Sequence, residues 1–360
     1  MLACISKNDR ASLLFEELRR LNPTPLDLGS LRSSRRAQLW GAISSLSSSL
    51  AQSRSDMNFS PAVAADLQHQ TEAKLAKHHL VSHVLQWGAM YPPVPKSSAV
   101  SFSIITDGPF DPEDTAYPVE WRPVRWRRNY LARQRDVYSR AEYVFALSDW
   151  ARNKLIAVHS LDPARVVRIG WGPMFSVEEP NLHPAEPAYF VSIGNQWFRK
   201  GMDIVAEAGR QIHTENPTIK TLIAGLPEGL KIPAMAGVKQ NPKRVPLTEV
   251  KKLIAGARGL IVASRFDASP HIIMEALQLG TPVIGTDVCG IGEVVGGPAG
   301  GRLIGVNDAV ALAEAMSDLL REDVREQRTR ARAAYVKFGG WKRAAQIVFD
   351  TLQLNELPIP

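Results

Sequence analysis

Through the second half of the chain, short apolar stretches alternate with longer ones whose apolar residues recur at helical spacing. Tyr189 to Ile193, Ile219 to Ala224, Gly259 to Ala263 and Arg302 to Ile304 read as strands. Gly201 to Glu215, Leu247 to Ala257 and Asp308 to Arg321 read as the helices between them. Such alternation predicts a parallel, doubly wound sheet. One unit is especially clear. Gly259 to Ala263 leads through the polar residues Ser264 to Asp267 into a helix with Ser269 as its N-cap and Pro270 at its first position. Ile272, Ile273, Ala276 and Leu277 form one apolar face, Gly280 and Pro282 end the helix, and Val283 and Ile284 begin the next strand. The loop before this helix therefore falls on the edge where open α/β sheets bind ligands.

The first half is patterned less strongly. Leu2 to Ile5, Leu80 to Leu85, Val100 to Thr106, Tyr143 to Leu147 and Val166 to Ile169 are strand candidates. Arg10 to Leu21, Arg35 to Ala51, Pro61 to Lys77, Trp121 to Arg140 and a Ser148-capped stretch to His159 are helix candidates. Pro173 to Pro187 holds four prolines and several acids, which suits an interdomain linker. The expected division is residues 1–175, a linker at 176–187, a second domain at 188–338, and a tail at 339–360. In that tail Trp341, Ala345, Val348, Phe349 and Leu352 share a helical face. A length of 360 residues fits two domains better than one.

Composition narrows the partners and the compartment. A net charge of +7 favours an anionic partner. With only Cys4 and Cys289, neither a disulfide framework nor a structural zinc site is expected. The opening MLACISKNDR reaches Lys7, Asp9 and Arg10 at once, so no secretory signal is expected, and no run approaches the roughly 18 apolar residues of a membrane span. The expected location is the cytoplasm, with peripheral contact at the inner membrane face. That contact would come from Trp121 to Arg140, where seven arginines are interleaved with Trp121, Trp126, Tyr130 and Tyr138. The competing reading of the same stretch is an amphipathic helix with its aromatics packed inward and its arginines solvated. No zinc-knuckle, helix-turn-helix or RNA-recognition signature accompanies the charge, so nucleic acid is not expected as a partner.

The candidate chemistry sits on two loops. The helix start at Ser269, Pro270, His271 and Ile272 offers backbone N–H groups and the positive end of a dipole, which suits a phosphate. Asp267 and Glu275 bracket it, separated by seven residues. A carboxylate repels an anion but accepts hydrogen bonds from hydroxyl groups on either side of it. A sugar, a diphosphate and a ribose in a row meet that description. The second loop, Gly194-Asn195-Gln196-Trp197-Phe198-Arg199-Lys200-Gly201, places two cations between a strand and a helix on the same kind of edge. Gly290-Ile291-Gly292-Glu293 is read as a further loop on that side, since its third glycine falls one place late for a dinucleotide fingerprint. Asp111, Glu113 and Asp114 read as a solvated acidic loop rather than a metal site.

Asp267 and Glu275, the latter opening the run EALQLGTPVIGTD, resemble the E-x7-E segment of retaining glycosyltransferase family 4. Asp267 stands where the family usually has Glu. Lys200 and Gly201 match the family's G-R-…-K-G segment, while Asn195 occupies its Arg position and Arg199 is a candidate replacement. Asp107, in the loop Thr106-Asp107-Gly108-Pro109, stands at about the place of a His that faces the sugar in many members.

The resemblance implies an α/β GT-B fold, with two Rossmann-like domains facing across a cleft and a C-terminal helix crossing back to the first. It implies a retaining hexosyltransferase that moves a sugar from a UDP- or GDP-linked donor to a hydroxyl on a glycan, a lipid-linked acceptor or a small molecule. Lys200 and Arg199 would hold the diphosphate, Asp267 would position the sugar, Glu275 would bind ribose, and Asp107 would act from the first domain. Neither cofactor nor metal is expected, in keeping with the lack of a D-x-D pair. The alternatives are a GT-B sugar-nucleotide epimerase and a basic binding protein that keeps the fold without catalysis. A phosphorylase of this fold would require pyridoxal phosphate and a longer chain.

Overall fold

The computed structural model describes residues 1–6, 12–21, 26–44, 60–109, 111, 124–177, 188–230, 233–241, 243–296 and 301–353. Most of the expected linker, together with Glu113, Asp114, Trp121 and Arg122, lies outside the described residues. The chain forms two compact units, Met1–Ile169 with Ala344–Pro360, and Gly170–Arg343.

In the first unit, strands β1 (Leu2–Ser6), β2 (Leu26–Ser30), β3 (His83–Trp87), β4 (Ser101–Thr106), β5 (Val144–Ala146) and β6 (Val166–Arg168) form one parallel sheet in the order β2-β1-β3-β4-β5-β6. Helices α1 (Ser12–Leu21), α2 (Arg35–Ser44), α3 (Pro61–Leu75), α4 (Val124–Arg140) and α5 (Asp149–His159) accompany it. Val84, Ile104 and Val144 of the strands are buried in one core with Leu67, Tyr138 and Leu155 of the helices. Ser148 caps α5 as expected: its hydroxyl accepts the Ala151 N–H at 3.0 Å.

The second unit repeats the principle. Its strands are β7 (Tyr189–Ile193), β8 (Lys220–Ala224), β9 (Val238–Asn241), β10 (Gly259–Val262), β11 (Val283–Thr286) and β12 (Arg302–Ile304), all parallel, in the order β12-β11-β10-β7-β8-β9. Its helices are α6 (Met202–Glu215), α7 (Leu247–Ala255), α8 (His271–Gln278), α9 (Ile291–Val295), α10 (Ala309–Arg321) and α11 (Val324–Phe338). Phe190, Ile223, Ile261 and Ile284 of the sheet bury against Val205, Ile212, Leu312 and Met316. Helix α12 (Gly340–Thr351) begins in this unit and ends in the first.

The order of this second sheet matters most for function. The chain leaves the centre at β7, runs outward through β8 to β9, and returns to the centre as β10 beside β7. It then runs out the other way through β11 and β12. The connections leaving the carboxyl ends of β7 and β10 thus diverge to opposite sides and open a crevice between them. This is the topological switch point at which open α/β sheets bind ligands.

Candidate functional site

The two loops singled out by residue type leave those two central strands. Phe190 pairs with Gly259 and Val191 with Leu260, so Gly194 to Gly201 and Ser264 to Pro270 emerge side by side although some 70 residues separate them in the chain. A backbone hydrogen bond joins them: the Arg265 N–H donates to the Arg199 carbonyl at 2.8 Å. Gly201 makes the approach possible. Its φ is +62°, and a Cβ there would stand 1.9 Å from the Ala263 carbonyl oxygen, well inside contact distance.

Within this crevice the Lys200 ammonium is in direct contact with Asp267 Oδ2. Arg199 Nη1 stands 4.0 Å from Asp267 Oδ1 and donates to the Phe266 carbonyl at 2.7 Å, while its Nε donates to Gln196 Oε1. The two loops nominated from residue type therefore lie side by side, and two groups assigned to different parts of a ligand meet each other. Gly194 lies under this pair, and a Cβ there would stand 3.1 Å from both Lys200 Cγ and Met202 Cε. Asn195 is exposed at the mouth of the loop.

Arg265 was not foreseen as part of this arrangement. Its guanidinium donates to both carboxylate oxygens of Asp203 at 2.9 and 2.7 Å, to the Phe198 carbonyl at 2.5 Å and to Asn307 Oδ1 at 2.7 Å. It also lies 4.0 Å from the centroid of the exposed Phe198 ring. The paired guanidinium holds the Asp203 carboxyl below the usual carboxylate range, against the opposing effect of burial. One side chain thus fastens the basic loop, the start of α6 and the loop after β12. The only sequence signal was an arginine inside an otherwise ligand-like loop, and its partners are 62 and 42 positions away.

Helix α8 starts one residue later than expected. Pro270, in extended conformation, is the N-cap; Ser269 is not, and its buried hydroxyl finds no hydrogen-bond partner. Trp171 Nε1 instead donates to the Pro270 carbonyl at 3.2 Å. The same segment covers the helix further along. His271 Nδ1 is 2.7 Å from the Gly172 carbonyl, which can only accept, so Nδ1 carries the proton. The His271 ring also packs at 5.7 Å from that of Trp341, whose Nε1 donates to the Pro173 carbonyl at 2.8 Å. Ile272 is partly exposed in the first turn.

Glu275 lies a turn inside, only 4% exposed, and its Oε1 accepts the Met174 N–H at 3.3 Å. Burial raises its carboxyl from 4.5 to about 7, and the single backbone hydrogen bond only partly opposes this. A buried carboxyl with one partner among the described residues and spare acceptor capacity is suited to a ligand hydroxyl.

The remaining candidates belong to the first unit. Asp107 is exposed at the carboxyl end of β4. Its loop is braced by Thr106 Oγ1, which accepts the Gly108 N–H at 3.3 Å and the Tyr138 hydroxyl at 3.3 Å. Asp111 pairs with Lys154 at 2.8 Å. In α4, Tyr130 and Tyr138 are buried, as an amphipathic helix with inward aromatics requires, while Arg128 and Arg135 are exposed. Among the described residues no three His, Cys, Asp or Glu side chains converge as a metal site, and no helix is long and apolar enough to cross a membrane.

Solved structures place this architecture. The chain superposes over 98% of its length on 99% of Anabaena HepE in complex with UDP, with a TM-score of 0.64 at 14% identity. It superposes over its whole length on apo OtsA, with a TM-score of 0.67 at 10% identity. The fold is GT-B. Residues 187–322, which include every site residue of the second unit, match the family described as glycosyl transferases group 1. The chain is 26% identical over 212 residues to WcaL of Escherichia coli K12, a putative colanic acid biosynthesis glycosyltransferase, covering 55% of this chain and 52% of that protein. This GT-B chain thus spans about half the length of the relative it matches.

Proposed function

We propose that this GT-B protein is a retaining glycosyltransferase of family 4 type, a hexosyltransferase that uses a nucleotide-diphosphate sugar and an acceptor hydroxyl. The observation that carries the reading is the convergence of Lys200, Arg199, Asp267 and the start of α8 in one crevice of the second sheet. The leaving diphosphate gains negative charge as the glycosidic bond breaks, and Lys200, Arg199 and the α8 N-terminus stabilise that charge without a metal. Asp267 receives the sugar hydroxyls and supports the positive character that develops at the anomeric carbon. Glu275 accepts a ribose hydroxyl. With front-face attack the leaving phosphate takes the acceptor proton. A UDP-linked donor is the first to test, because HepE of the same fold was crystallised with UDP. The acceptor is a glycan or a lipid-linked glycan, presented at an anionic membrane by the arginines of α4.

The test is release of UDP or GDP from a panel of nucleotide sugars, with and without glycan and lipid-linked acceptors, followed by the anomeric configuration of the product. Acceptor-dependent release with retention is expected, and Asp267→Asn should lower turnover by roughly two to four decades. Full turnover in that variant would remove Asp267 from the mechanism. Sugar-nucleotide isomerisation without acceptor would favour the epimerase.

A further inference from the structure

We propose that Asp267 makes the site selective against the nucleoside diphosphate product, by holding Lys200 in an ion pair that a free diphosphate has to open. The inference rests on the donor-site reading above and couples two residues that it treats separately. The Lys200 ammonium touches Asp267 Oδ2, and Arg199 stands 4.0 Å from the other oxygen. The three side chains retain only 17, 14 and 21% of their exposure, respectively, so solvent screens their charges weakly.

Shifting the loops does not easily relieve the pair. The Arg265 N–H binds the Arg199 carbonyl, and the Arg265 guanidinium binds Phe198 and both oxygens of Asp203. Gly201 is pressed onto the Ala263 carbonyl. Opening therefore falls to side-chain rotation of Lys200 or Asp267.

A diphosphate arriving at Lys200 competes with Asp267 for the ammonium and leaves the carboxylate without its closest cation. A nucleotide sugar also brings hydroxyl groups that donate to Asp267 and replace what Lys200 withdrew. The free diphosphate brings none. The ion pair consequently weakens binding of the product more than binding of the donor, and it favours product release after transfer.

Direct repulsion between Asp267 and the phosphates would also weaken the product, so the test has to separate the two. UDP and GDP are titrated calorimetrically into the wild type, Asp267→Asn, Lys200→Ala and the double variant, with melting temperature as the check on folding. In the Lys200 background, Asp267→Asn should tighten the bound nucleoside diphosphate roughly tenfold. In the Lys200→Ala background the same substitution should change affinity less than about twofold, because Arg199 is already engaged by Phe266 and Gln196. Equal tightening in both backgrounds indicates direct repulsion and overturns the proposal, as does no tightening at all. If neither UDP nor GDP binds any of the four proteins, the donor-site reading itself falls and the proposal goes with it. Asp267→Ala provides the same comparison with a second side chain.

Discussion

Glu275→Gln offers a quantitative check on the site, because Glu275 is both buried and titratable. The rise from 4.5 to about 7 reflects loss of hydration, countered by one hydrogen bond from Met174. For an acid whose value is raised on folding, the native state binds the proton more tightly than the unfolded chain. Stability is therefore highest below about 4.5 and declines as pH rises through about 7, where the buried carboxylate ionises. At about 1.4 kcal/mol per pH unit, the full decline approaches about 3 kcal/mol. The glutamine keeps a carbonyl oxygen for the Met174 N–H but carries no charge. It should match the wild type within about 1 kcal/mol at pH 4.5 and exceed it by up to about 3 kcal/mol at pH 8. For a unit of this size that is an upper limit of roughly 6 to 12 °C in melting temperature. Thermal unfolding followed by circular dichroism at several pH values measures it. The same difference between the two proteins at pH 4.5 and pH 8 would show that Glu275 binds its proton no more tightly in the folded chain than in the unfolded one, and the argument from burial would fail. A ribose hydroxyl donates best to the ionised form, so wild-type affinity for the bound nucleotide should rise between pH 6 and pH 8, and Glu275→Gln should flatten that rise.

Two further outcomes test the frame around the site. Gly201→Ala forces a side chain into the left-handed region and onto the Ala263 carbonyl, so it should destabilise the second unit by about 2 kcal/mol or more; denaturant unfolding that matches the wild type would refute the close approach. Replacing the exposed Arg128 and Arg135 of α4 with Gln should reduce sedimentation with anionic vesicles at low salt and leave the weak background with neutral vesicles unchanged; equal sedimentation with both vesicle types in the wild type would reject electrostatic docking.

Local chemistry alone determined a good part of this protein. The unit from Gly259 to Ile284 was legible because its signals are contiguous: a buried apolar run, polar residues, a proline at the helix start, a helical apolar face, then Gly280. Lys200 and Asp267 could be nominated because few residue types bind phosphates and sugars on such an edge. The strands that sequence pattern missed, β2 and β9, each lie at one edge of their sheet. Edge strands bury little, so LDLGS and VKQN carry no apolar run to announce them. Helix α11 was missed because it is rich in arginine; it is held by Ala331, Ala334 and the buried Arg328, which donates to the carbonyls of Ala255 and Ala257.

Only the tertiary structure could decide what touches what. Pairing of β7 with β10 brings two distant loops together, and no local preference encodes that register. The same pairing joins Lys200 and Asp267, expected from sequence at separate parts of a ligand, in an ion pair, and it gives Arg265 its partners. It also leaves the Ser269 hydroxyl unbonded, since the cap geometry at α8 follows from how Trp171 to Phe175 lies along the helix, with Trp171 bonded to Pro270 and Gln278 bonded to Phe175. Contacts of this kind depend on long-range packing, whereas the elements themselves depend on neighbours a few residues away.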